Sequence, residues 1–141
     1  MAKYFIIRQD YFILRSNISL KQPDTGAKPI KENKLVDLSM DFAVDILMLC
    51  ETIKGHYSST NQLERSATSI GANIHEANYA QSKAAFISKL KISLKECYES
   101  EFWLELFIKA ELSDKEKLHN LLVKCGTIRR ILIASINTAS K

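Results

Sequence analysis

Few side chains in this sequence stand in a pattern that suits chemistry. His75-Glu76 opens like the helical zinc-protease motif, in which two histidines four apart share a helix face and the glutamate acts as base. Position 79 is Tyr, so the second ligand is missing. No Gly-rich phosphate loop and no locally supported Ser–His–Asp pattern is present. Cys50, Cys97 and Cys125 could converge with His75 on a metal, but each also falls where a helix would place a core residue, and packing is the plainer role. The chain is therefore read as non-enzymatic, with no catalytic residue, cofactor, metal or small-molecule substrate.

Two polar patterns remain. Arg65, Ser69, Asn73 and Glu76 recur at helical spacing, beside an apolar stripe. They suit a ligand or nucleic-acid contact, or a buried hydrogen-bonded seam that fixes helix register together with Glu101. Further on, Lys83, Lys89, Lys91 and Lys95 have no acid among them, and a run of glutamates follows from Glu96. Lysines near a helix N-terminus oppose its dipole, so they call for an anion. That anion is phosphate, or the stripe Asp37, Asp41, Asp45 within or between subunits; a solvated face is the third reading.

These residues need helices to hold them. Apolar positions recur every three or four residues from Lys34 onward. Leu35, Leu38, Phe42, Ile46, Leu49 and Ile53 predict a helix over 34–54, ended near Gly55. Leu63, Ala67, Ile70, Ile74 and Ala77 predict one over 59–80, with Ser59 and Gln62 as a capping box. Ile87, Leu90, Leu94, Cys97, Leu104 and Ile108 predict one over 82–110, capped by Ser82, with Glu101 as a polar intruder. Leu118, Leu122, Cys125, Ile128 and Leu132 predict one over 114–139, with Ser113 and Glu116 as its capping box. Gly71 inside the second helix would let a neighbour approach closely. Four such helices with short loops imply an all-α, antiparallel up-down-up-down four-helix bundle.

The bundle spans residues 33–141 and is preceded by an N-terminal arm and linker over 1–32. That arm holds two β-prone patches, Tyr4–Ile7 and Tyr11–Leu14, which suit a hairpin, an arm packed on a neighbour, or a loosely ordered tail. Of the net charge of +4, the arm carries +3 and the bundle only +1, so global charge gives weak support for nucleic-acid binding. An odd number of spaced cysteines argues for a reducing compartment, and no apolar run is long enough to span a membrane. Phe102-Trp103-Leu104-Glu105-Leu106-Phe107-Ile108 is apolar around most of its helix, as are residues 46–49 and 131–134. A lone bundle cannot bury such helices on every side, so another subunit is expected against Phe102, Trp103 and Leu106.

The segment Arg65–Ala77, then Gln81-Ser82-Lys83, Lys95-Glu96 and Glu101-Phe102-Trp103-Leu104, resembles a four-helix-bundle family. That family includes proteins encoded in 23S ribosomal RNA intervening sequences, and the accessory protein of diversity-generating retroelements is a relative. The likeness covers roughly residues 33–140, and Arg65, Ser69, Asn73, Glu76, Ser82 and Glu96 match its recurrent motif. His75 and Ala77 depart from it, since many members carry Ala and Gly there. The resemblance implies a cytoplasmic bacterial protein, assembled as a ring-shaped homopentamer, without catalysis. In the retroelement relative a basic ring surface associates with a reverse transcriptase and nucleic acid. The expected function is thus a homo-oligomeric structural or adaptor protein. The alternative is a nucleic-acid-binding accessory module acting with RNA or a reverse transcriptase through Lys83, Lys89, Lys91, Lys95 and Arg65.

Overall fold

The helical periods become four helices in the computed structural model, which describes residues 33–141. They are α1 (Lys34–Thr52), α2 (Tyr57–Ala77), α3 (Lys83–Lys109) and α4 (Lys115–Ala139). The expected hairpin or arm falls in residues 1–32, outside the described residues. Each helix packs on its neighbours in the cyclic order α1, α2, α3, α4, so α1 and α3 stand diagonally opposite. Short loops make successive helices antiparallel, and α1 and α3 run the same way.

The core is the sum of the inward stripes. Phe42, Ile46 and Leu49 of α1, Leu63, Ala67 and Ile70 of α2, Cys97, Leu104 and Phe107 of α3, and Leu118, Cys125, Ile128 and Leu132 of α4 are all fully enclosed. Leu38, Ile87, Leu94, Ile108 and Leu122, expected in that core, sit partly buried at its margin. Burying a side chain of this size contributes about 1.5–3 kcal/mol.

The helix ends differ from expectation in two places. Ser59 does not cap α2: the helix begins earlier, at Tyr57, with His56 at the cap and no side-chain bond. Ser113 does not cap α4 either, because Asp114 accepts from the Lys117 N–H at 2.7 Å and takes that role. Ser82 caps α3 as expected, accepting from Ala85 N–H at 3.1 Å. α1 stops at Thr52, where Ile53 turns extended, and Gly55 follows in the left-handed region at φ +81°. Past α3, Glu111 adopts φ +53°. Its N–H reaches Ile108 O and that of Leu112 reaches Phe107 O, the paired bonds of a Schellman turn built without glycine.

Candidate functional site

Small residues let α2 approach both neighbours. A Cβ built on Gly71 would lie 3.6 Å from Ser39 of α1, an ordinary contact, so α1 and α2 face each other here with room for a side chain no larger than alanine. Across the other seam Ser93 donates to Ile70 O at 2.5 Å, and Ser100 donates to Ser66 Oγ at 2.8 Å. These serines are fully buried. Buried hydroxyls cost free energy unless bonded, and these are bonded across α2 and α3.

The polar stripe expected to act as one seam is divided. Asn73 donates to Ser69 O at 2.9 Å and to Ser69 Oγ at 3.2 Å, within its own helix. Glu76 is exposed and pairs with Lys89. Glu101 turns to the opposite seam, where Arg129 of α4 donates to it at 2.9 Å and also lies over the Tyr98 ring. Arg65 lies close enough to Glu96 to act on its carboxyl. Burial holds that carboxyl above its usual range, Glu99 adds to the shift, and Lys95 and Arg65 oppose it.

The lysines of α3 separate in the same way. Lys89 is taken by Glu76, whereas Lys83, Lys91 and Lys95 line one groove of about 660 Å³ with Ser88, Ile92 and Ser140. Asp41 and Asp45 stand across the bundle from these lysines, because α1 and α3 do not pack on each other. Asp45 instead bonds Lys124 of α4 at 2.5 Å.

The outer faces of α1 and α3 carry apolar side chains. On α1 they are Met40, Val44, Leu47 and Met48, and on α3 they are Ile92, Tyr98, Phe102 and Leu106. Phe102 is 58% exposed and Val44 49%. Trp103 is different. It meets Phe102 edge to face but packs half-buried on the core, with its indole N–H enclosed and without a partner. Since α1 and α3 are diagonal, their outer faces point in opposite directions.

The profile of the 23S rRNA-intervening sequence proteins matches residues 31–134. The chain belongs to that family. A crystal structure from Bacteroides thetaiotaomicron, of a protein with unknown function from the S23 ribosomal protein family, is also similar. It is 42% identical over 72% of this chain and 97% of that one, with a TM-score of 0.68. No curated protein matches the chain.

This member of the intervening-sequence family holds no cluster of three metal-ligating side chains among its described residues. Cys50, Cys97 and Cys125 are buried free thiols. Burial, with help from the nearby Glu64 carboxylate, pushes the Cys50 thiol up to about 12. The Cys125 thiol is raised by its bond to Cys97 and by burial. Thiols held protonated in this way are poor nucleophiles and poor ligands. Among the described residues no helix is long and apolar enough to cross a membrane. Sequence reasoning missed Ser66, Ser93 and Ser100. The signal was there in part, since Ser93 and Ser100 are seven apart and flank Cys97 on the inward face.

Proposed function

We propose that this chain is a non-catalytic assembly or adaptor protein whose working form is a closed homo-oligomer. One observation carries the reading: two apolar faces, on α1 and α3, point away from each other. A face of this kind costs free energy in water and is covered in most soluble proteins. A two-fold dimer through either face would leave the other bare. A head-to-tail contact of one face on the other covers both, and a ring is its closed form. The number five comes from the family resemblance alone. Three unpaired thiols suit a reducing cytoplasm.

Light scattering at micromolar concentration tests the reading. A multimer is expected, with Phe102→Glu falling to a folded monomer. A wild-type monomer overturns it. The second reading, nucleic-acid binding, is favoured by the groove that holds Lys83, Lys91 and Lys95. It requires tight RNA or DNA binding at physiological salt, with a log–log salt slope of about −0.9 per phosphate neutralised on duplex DNA.

A further inference from the structure

The outward line of α1 runs Asp37, Asp41, Val44, Met48, and that of α3 runs Lys91, Lys95, Tyr98, Phe102. Both follow steps of four, three and four residues, so both are straight stripes on a helix surface. Their chemistry is complementary position by position. Two acids stand opposite two lysines, and two apolar side chains opposite two aromatic ones.

The levels also agree. Ser39 lies against Gly71, and Ser93 bonds the adjacent carbonyl of Ile70, so Ser39 and Ser93 sit at about the same height in the bundle. They are 54 residues apart, 93 minus 39. The same offset carries Asp41 to Lys95, Val44 to Tyr98 and Met48 to Phe102. Rotation about an axis parallel to the helices keeps heights unchanged. Neighbouring copies in such a ring would therefore meet at equal levels.

Resting on the assembly reading above, we propose that the docking partner of the α3 outer face is the α1 outer face of a second copy, packed parallel and in this register. Val44 and Met48 cover Tyr98 and Phe102, and Asp41 meets Lys95. Asp37 already has contacts within its own chain, so Asp41 carries the pairing. Asp41, Lys91 and Lys95 are exposed. The apolar pairs supply adhesion. The charge pair selects register, because a slid or antiparallel contact would set Asp41 against the aromatic side chains of α3 and leave Lys95 without an acid.

Charge reversal tests this. Lys95→Glu is expected to shift the wild-type multimer to monomer at micromolar concentration, with helicity unchanged by circular dichroism. Asp41→Lys/Lys95→Glu is expected to restore the multimer. Covalent trapping gives a second readout. In Val44→Cys/Tyr98→Cys the two cysteines lie on diagonal helices, so they cannot join within one chain. Oxidation should give a ladder of linked copies, and Val44→Cys/Lys91→Cys should not. If the wild type assembles yet Lys95→Glu assembles equally, or no ladder forms, the register is wrong while the assembly stands. A monomeric wild type means that something other than a second copy covers these faces, and overturns both.

Discussion

At the scale of the residue, the buried thiols couple folding to alkaline pH. Cys50 has an ordinary value of 9.0 and is pushed up to about 12 in the folded state. An unfolded chain thus releases a proton that the native state keeps across that window. Stability is fully present below about 9 and falls as pH rises toward 12, by up to about 1.4 kcal/mol per pH unit for one thiol. Urea unfolding at pH 8 and pH 10.5 measures the loss. Cys50→Ala is expected to show a shallower loss than wild type, and an identical slope would remove Cys50 as its source. The stripe expected to be one seam shows what a residue pattern leaves open. Ser69 and Asn73 satisfy each other within α2, while Glu101 lies on the far side of α3 and takes Arg129. A helical wheel places these residues on faces; it does not say which neighbour each face meets.

At the scale of the element, the loop after α3 holds the clearest local misfit. Glu111 sits at φ +53°, where a side chain's Cβ crowds the backbone and glycine does not. The Schellman bonds around it hold that conformation. Glu111→Gly is therefore expected to stabilise the bundle by roughly 0.5–1 kcal/mol, the relief of strain exceeding the added freedom of the unfolded chain. A calorimetric midpoint that drops on this substitution would contradict the account. Helix boundaries are legible to within three residues because apolar period is local. Capping was less so. Asp114 and Ser113 are adjacent acceptors, and only the backbone geometry at the start of α4 selects Asp114.

At the scale of the whole molecule, assembly and stability should be one equilibrium. If the outer faces of α1 and α3 are covered only between copies, dilution removes that cover and mass action lowers the melting point. A tenfold dilution is expected to lower the midpoint by roughly 4 °C for a domain of this size. Phe102→Glu should melt lower and independently of concentration. A wild-type midpoint constant from 1 to 100 times the starting concentration would speak against linked assembly.

Four helices, their inward stripes and the family likeness are legible in the chain alone, because each is written in local spacing and residue type. Which helices are neighbours becomes visible only in the packed bundle. Asp41 and the lysines of α3 run at the same end of the bundle, as their sequence positions require, yet they stand across its diagonal and cannot meet in one chain. Helical period fixes the apolar side of each helix but leaves open which helix it packs on. That order shows in contacts between residues far apart in the chain: Gly71 faces Ser39, and the serine bonds between α3 and α2 join residues 23 and 34 positions apart. The same diagonal placement turns the outer faces of α1 and α3 in opposite directions, and no spacing within either helix encodes that.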